Sequence, residues 1–273
     1  MDKLTGKYFI KNGAIFEADD FNYELSERNV YEVIRIIEGI PLFLEEHLER
    51  MTDSLHLLKM EMTKSHEEIR NSIQMMVKRN RIKTGNIKIL INDGHIPEIL
   101  IYFIPHFYPD KSCYKNGVKT LTLDLERKNP NAKVIDASYK EKVTRFIDSN
   151  KIYEALIVNR EGEITEGSKS NVFFIIENTL CTPPLKDVLG GVTRKRVISI
   201  AKELGLEVNE APLKMENLRT VDAAFISGTS PKILPVSSID QNIYDSSKHP
   251  LVQSLIASYD QKIRSYIDAH QSV

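Results

Sequence analysis

Two short apolar stretches near the start of the chain, Lys7 to Ile10 and Ala14 to Glu17, flank Asn12-Gly13, and this arrangement predicts a β-hairpin. Tyr31 to Ile37 is β-branched and apolar, and a Glu38-Gly39 turn leads into Pro41 to Leu44, which predicts a second hairpin. The period then changes. Leu44, Leu48, Met51, Leu55 and Leu58 recur at spacings of four, three, four and three, the single apolar stripe of a helix. Ser65 and Glu68 form a capping box ahead of a second helix lined by Ile69, Ile73, Met76 and Val77. Strands at Ile87 to Ile91 and Glu98 to Pro105 follow, joined through Asp93-Gly94. This half reads β-β-α-α-β-β, an α+β unit.

Residues 105 to 117 carry the turn-forming and charged composition of a linker. The expected division is an N-terminal domain over 1–108, a linker over 109–117 and a larger domain over 118–273. In that larger domain strands are predicted at Lys119 to Asp124, Glu154 to Val158, Val172 to Ile176, Ala223 to Ser227 and Ile233 to Ile239. Helices are predicted at Tyr139 to Asn150, at Thr193 to Leu204 with Gly205 as its stop, and from about Leu251 to Ile267. There is no internal repeat.

Composition narrows the function classes. With 37 Lys and Arg against 38 Asp and Glu, the net charge is −1, which lacks the electrostatic footprint of a nucleic-acid or membrane-surface binder. No apolar run approaches the roughly 20 residues of a membrane span, and the polar start Met1 to Lys7 has no signal-peptide core behind it. Two cysteines, Cys113 and Cys181, without CxxC spacing, argue against a disulfide scaffold or a zinc site. A reduced, cytoplasmic protein is expected. GxGxxG, Walker A, HExxH and GxSxG patterns are all missing, and the seven histidines have no metal-ligand spacing. His47 reads as a surface or packed residue.

Four stretches carry candidate chemistry: Asn129 to Val134, which contains Lys133; Glu163 to Phe174, with Glu166-Gly167-Ser168 before an apolar strand; Val188 to Arg194, where Gly190-Gly191 and Thr193 open a helix; and Ser227 to Ser230 at a strand end. Each alone also reads as turn chemistry. Free N–H groups and the helix dipole at Gly190 to Thr193 make an anion cradle. A lysine, a carboxylate and two hydroxyl-rich anion loops together suggest a phosphorylated cofactor with a reactive carbonyl.

The string Glu154 to Phe174, with Glu166-Gly167-Ser168-Lys169-Ser170-Asn171-Val172-Phe173-Phe174 at its centre, resembles the signature of the class IV aminotransferase family. These are fold-type IV pyridoxal-phosphate enzymes: branched-chain and D-amino-acid aminotransferases and aminodeoxychorismate lyases. Thr182-Pro183-Pro184, Gly191 to Arg194, Ser227-Gly228-Thr229 and Leu234 to Asp240 follow in the family's order, and Tyr31 to Arg35 and Glu46 to Arg50 resemble its N-terminal motifs. The resemblance spans nearly the whole chain. It implies two domains, a small N-terminal α+β one and a larger β-barrel-like α/β one, and a homodimer with pyridoxal 5'-phosphate as cofactor. It implies Lys133 as the Schiff-base lysine, Glu166 facing the pyridine nitrogen, and Tyr31 beside the cofactor. Arg50, Val192, Thr193 and Thr229 are implied to hold the phosphate, and Leu189 to pack on a ring face.

Three departures stand out. Ser26-Glu27-Arg28-Asn29-Val30 replaces the family's Gly-Asp-Gly; the strand Ile87 to Asp93 lacks the arginine that the D-amino-acid branch uses for the substrate carboxylate; and Val134 to Tyr139 is idiosyncratic, with Asp136 a candidate to face the site. Arg35, on the Tyr31 face of its strand by the two-residue period, is one candidate for the carboxylate. Loop N–H groups from Ser227 to Thr229 are another. An amino-acid transaminase is the leading reading. The 33-residue separation of Lys133 and Glu166 resembles the lyases, which release pyruvate to give 4-aminobenzoate. A cofactor-binding protein without catalysis is the reading from another class.

Overall fold

The computed structural model describes residues 3–271, so Met1, Asp2, Ser272 and Val273 of the expected domains lie outside the described residues. The chain divides into two compact units. One comprises Met1–Phe107, Ala132–Ile135 and Ile263–Val273; the other comprises Tyr108–Asn131 and Asp136–Lys262. The division is therefore interleaved, where the sequence suggested two contiguous domains. A four-residue piece containing Lys133 belongs to the first unit while the chain on both sides of it belongs to the second.

The first unit holds β1 (Tyr8–Lys11), β2 (Ala14–Glu17), β3 (Asn29–Ile37), β4 (Ile40–Pro41), α1 (Leu44–Leu57), α2 (His66–Asn80), β5 (Gly85–Asn92) and β6 (Glu98–Ile104). Its antiparallel sheet runs β2-β1-β6-β5-β3-β4. Both short hairpins turn on two residues of positive φ, Asn12-Gly13 at 52° and 90° and Glu38-Gly39 at 55° and 84°, the conformation that matches strand twist. The predicted strand Pro41 to Leu44 is instead only two residues long. Phe43 takes a left-handed conformation and Leu44 opens α1, because Leu44 belongs to the buried stripe of that helix. The capping box at Ser65 and Glu68 is present in both directions. Leu44, Leu48, Met51 and Leu55 of α1 pack with Ile69, Ile73 and Met76 of α2 against Val30, Ile34, Ile36, Ile87, Ile89 and Ile101 of the sheet. The opposite sheet face gathers Phe9, Leu90, Leu100 and Tyr102, with Phe21, Tyr23, Tyr31 and Ile135 against them.

The second unit holds α3 (Lys111–Asn116), β7 (Val118–Asp124), α4 (Ala137–Asn150), β8 (Glu154–Val158), β9 (Glu163–Gly167), β10 (Asn171–Ile176), β11 (Thr179–Thr182), α5 (Val192–Glu203), β12 (Val208–Glu210), β13 (Leu213–Lys214), β14 (Ala223–Gly228), β15 (Lys232–Ile239), β16 (Asn242–Ile243) and the start of α6 (Pro250–Gln271). The mixed sheet runs β12-β11-β10-β14-β15-β7-β8-β9-β13, with β16 on β15. Its core includes Val172, Phe174, Ile226 and Leu234, and Phe173 stacks on Phe225 with ring centroids 4.9 Å apart. The expected linker contains a helix, α3, because the Asp110 carboxylate accepts the N–H groups of Ser112 and Cys113 and caps its start. Strand β9 escapes the hydrophobic pattern since its inward positions pair an apolar Ile164 with a charged Glu166.

Leu48 lies fully buried at the centre of the first unit's helix-on-sheet core. Leu48→Ala is expected to lower unfolding free energy by about 2–5 kcal/mol, the transfer loss plus the cavity. Urea denaturation checks this; a loss below about 1 kcal/mol would remove Leu48 from the core.

Candidate active site

Strand β3 has a free edge. On one side it pairs with β5 along its whole length, but on the other β4 covers only Ile36 and Ile37. The segment Ala132–Ile135 occupies the open part of that edge. The Tyr31 N–H donates to the Lys133 carbonyl at 3.0 Å. The Asn29 side chain clamps Ile135 in both directions, accepting its N–H at 2.8 Å and donating to its carbonyl at 3.4 Å. The Lys133 N–H donates to Ser54 Oγ at 3.3 Å. Lys133 Nζ then lies 4.8 Å from the centre of the Tyr31 ring. Lys88 Nζ, from β5, lies 4.8 Å from the same ring. Asn29 belongs to the stretch that replaces the family's Gly-Asp-Gly, and here it is the residue that seats the lysine segment. Nothing in its sequence neighbourhood signals that role.

Glu32 points to the other face of β3, toward α1. Its carboxylate takes both forks of Arg50, Nε at 2.7 Å and Nη2 at 2.6 Å, and His47 Nδ1 at 2.8 Å. His47 and Arg50 are three residues apart on α1 and so share a face; all three side chains are buried. Burial pushes the Glu32 carboxyl up, but the Arg50 charge, followed by the His47 hydrogen bond, outweighs it and holds Glu32 well below its ordinary value of 4.5. His47 is pushed down, by burial first, against the upward pull of Glu32. His47 is thus a packed residue with a definite task, orienting the carboxylate that holds Arg50.

In the second unit Glu166 is 3% exposed. Its Oε2 accepts the Leu189 N–H at 3.1 Å, and its Oε1 lies 3.1 Å from Arg127 Nε. Arg127 also donates to the Ser168 carbonyl at 2.8 Å, and its guanidinium carbon sits 5.0 Å from the centre of the Tyr139 ring. The motif's two serines, Ser168 and Ser170, donate to the buried Glu154 carboxylate. Asn171 donates to the Leu189 carbonyl at 2.8 Å. A Cβ on Gly191 would run into Asn171 Oδ1, and one on Gly167 into Ser170 Oγ, so a side chain at either position would displace a hydrogen-bonded group.

Helix α5 starts at Val192 with Gly191 as N-cap and no side chain capping it, so its first N–H groups face the loop. Val192, Thr193 and Leu189 are buried there. Thr229 follows β14, next to Ser227, whose completely buried hydroxyl has no hydrogen-bond partner among the described residues. Asp136 caps α4 by accepting the Tyr139 N–H at 2.9 Å, which gives it a local structural task. Arg35 shares the Tyr31 face of β3 and stands opposite Asn86 on β5, two positions along from Lys88. Tyr31, Arg35, Lys88, Arg50 and Lys133 thus belong to the first unit, and Glu166, Leu189, Val192, Thr193 and Thr229 to the second. Lys88, Arg127 and Tyr139 were not legible as site residues: Lys88 stands alone in an apolar strand, while Arg127 and Tyr139 sit in polar runs that do not set them apart, and Glu32 carried no role of its own within the Tyr31 to Arg35 motif.

Because the folded-state value of Glu32 lies below the unfolded one, its contribution to stability is present above about pH 4.5 and is lost as pH falls through the folded value. Glu32→Gln leaves the Arg50 charge buried without its counter-ion. A loss of about 3–5 kcal/mol near neutral pH is expected, with a shallower acid limb of stability. Urea denaturation at several pH values measures both, and a variant as stable as the parent at pH 7 would contradict the account.

Residues 29–239 match the family model "Amino-transferase class IV". Among curated relatives, the D-alanine aminotransferase of Bacillus licheniformis is 27% identical, covering 96% of each chain. The aminodeoxychorismate lyase of Bacillus subtilis is also 27% identical, covering 97% of this chain and 95% of that one. Among solved structures, the T.th. branched-chain amino acid aminotransferase with pyridoxamine 5'-phosphate is 25% identical, covers 97% of this chain and 96% of that chain, and superposes with a TM-score of 0.85. The holo branched-chain enzyme of Thermobaculum terrenum gives 24% and 0.83, covering 97% and 96%. The fold is that of the fold-type IV enzymes. Members of the family are aminotransferases or aminodeoxychorismate lyases and use pyridoxal 5'-phosphate. This chain belongs to the class IV aminotransferase family.

Proposed function

We propose that the protein is a pyridoxal-phosphate-dependent aminotransferase that acts as a homodimer and moves an amino group between an amino acid and a 2-oxo acid. The observation that carries the reading is the pair of prepared groups: a lysine amine seated on the free edge of β3 beside Tyr31, and a buried Glu166 oriented by a backbone N–H. The residues fit the cofactor. The uncapped start of α5 and the unpartnered Ser227 hydroxyl offer donors to a phosphate, and Arg50, Thr193 and Thr229 are the further phosphate ligands in this reading.

When bound, the cofactor supplies an electron sink for charge developing at the substrate α-carbon. Glu166 keeps the ring nitrogen protonated, so the sink stays strong. Lys133 would hold the cofactor, and its Nζ is the base that would take and return the α-proton. Tyr31, whose ring lies beside that ammonium, limits where it travels. Leu189 packs on the ring. The substrate carboxylate needs a positive partner in a partly dry site. Arg35 fills that role in this reading, with Lys88 on the same sheet face; the N–H groups of Ser227 to Thr229 are the alternative donors.

A lyase of the aminodeoxychorismate type is the second reading. The 33-residue separation of Lys133 and Glu166 favours it, as does a lyase relative as similar as the aminotransferase one. Half-reactions followed spectroscopically with L-amino acids, D-amino acids and aminodeoxychorismate separate the two.

Borohydride reduction of the loaded enzyme is expected to fix the cofactor on Lys133, and peptide mapping reads the position; label on another lysine would overturn the assignment. Glu166→Gln is expected to retain cofactor and lose about 10²-fold or more in kcat, the scale of removing one preorganised charge. For Arg35→Ala, KM for the amino acid should rise by an amount worth about 1.5–3 kcal/mol, with the cofactor absorbance unchanged. An unaltered KM would move the carboxylate to Lys88 or the loop.

A further inference from the structure

We infer that Arg127 is a positioning residue for Glu166, and that its charge sets how firmly a pyridine nitrogen held against Glu166 keeps its proton. The inference rests on the proposed role of Glu166. It starts from the way Arg127 is seated. Its Nε lies 3.1 Å from Glu166 Oε1, its Nη2 donates to the Ser168 carbonyl at 2.8 Å, and its guanidinium carbon lies over the Tyr139 ring, 5.0 Å from its centre. Carboxylate, carbonyl and aromatic face hold the guanidinium from three directions.

The supports are themselves fixed. Ser168 is held through its hydroxyl by the buried Glu154 and through its N–H by the Ala155 carbonyl at 2.9 Å. Tyr139 sits in the first turn of α4, whose start Asp136 caps. Its ring face lies under the Arg127 guanidinium and its hydroxyl is buried beside it. A cation seated this way cannot follow Glu166 to a new rotamer, so it restricts the carboxylate as much as it neutralises it. The Leu189 N–H restrains the second oxygen, and with both oxygens engaged the carboxylate plane has one orientation.

The sign of the electrostatic effect follows. A positive charge beside Glu166 favours the ionised carboxylate and disfavours a second positive charge on a ring nitrogen next to it. Glu166 alone would hold that nitrogen's proton tightly; Arg127 weakens the hold. The effect is moderated by water. The Arg127 side chain is 21% exposed and lines a cavity of about 820 Å³ that also touches Glu126, Lys128 and Arg160.

The segment that follows Arg127 is itself fixed within the second unit. Arg127 lies six residues before Lys133. Between them, Asn131 donates to the carbonyls of Leu185 at 2.6 Å and Val188 at 2.9 Å. The segment from Arg127 to Asn131 is therefore anchored at its start to Glu166 and at its end beside Leu189, the residue whose N–H binds Glu166. A change at Arg127 disturbs the charge on Glu166 while leaving the Asn131 anchor in place.

The test uses holoenzyme loaded with pyridoxal phosphate carrying ¹⁵N in the ring, its nitrogen shift followed against pH. Glu166→Gln is expected to lower the titration midpoint. Arg127→Gln is expected to raise it by about one pH unit, a tenfold tighter hold on the proton, and Arg127→Lys to restore most of the parent value because it restores the charge. Tyr139→Leu keeps the charge but loosens its seat, and is expected to raise the midpoint by less than Arg127→Gln; it serves also if Arg127→Gln does not load. A midpoint that moves in Glu166→Gln but stays within about 0.2 unit of the parent in Arg127→Gln, or in Tyr139→Leu where Arg127→Gln does not load, overturns the inference alone. A midpoint unmoved in Glu166→Gln overturns the proposed role of Glu166 itself.

Discussion

A carboxylate buried beside an apolar sheet must be matched group by group, because the desolvation penalty of an unpaired charge exceeds what the surrounding packing returns. Three glutamates in this protein meet that constraint in three ways. Glu32 is matched by charge, through the fork of Arg50 and the ring of His47. Glu154 is matched by neutral donors, the hydroxyls of Ser168 and Ser170. Glu166 is matched by one of each, the Arg127 guanidinium and the Leu189 N–H. The glycine-rich turns and closely spaced serines of the central motif exist to bring these partners in. A Cβ at Gly167 would strike Ser170, and one at Gly191 would strike Asn171, which holds the Leu189 carbonyl.

The free edge of β3 is the second organising feature. An exposed edge with unpaired backbone groups normally needs cover. Here the cover is the lysine segment itself, bonded to Tyr31 and clamped by Asn29. The backbone requirement of a strand edge and the placement of the Lys133 side chain are met by the same four residues. Fold stability and site geometry are coupled at that point, so changes at Asn29 act on both.

The pattern of apolar positions was enough to place α1, α2, α4, α5 and most strands within one or two residues, because each buries one face and the spacing of that face is local information. It misplaced the chain where a tertiary demand overrode the local one. Pro41 to Leu44 looked extended, but Leu44 is needed by the α1 stripe. Strand β9 looked like a turn, since its inward face carries a charge. The supposed linker folds into α3 around one capping aspartate.

Family membership and the cofactor were readable from the sequence because the Glu166 to Phe174 string packs carboxylate, turn and strand into adjacent positions, so the chemistry is written in contiguous residues. The same resemblance singled out Lys133 and Arg50. The partners that orient them were decided only by tertiary structure. Glu32, Arg127, Tyr139, Asn29 and Lys88 are scattered over more than 100 residues of chain, and each acts through a single side chain whose partner its sequence neighbours do not specify. Periodicity reports which face of an element is buried. It does not report which distant charge that face will meet, because that depends on strand order and register, which arise when the whole unit closes on itself.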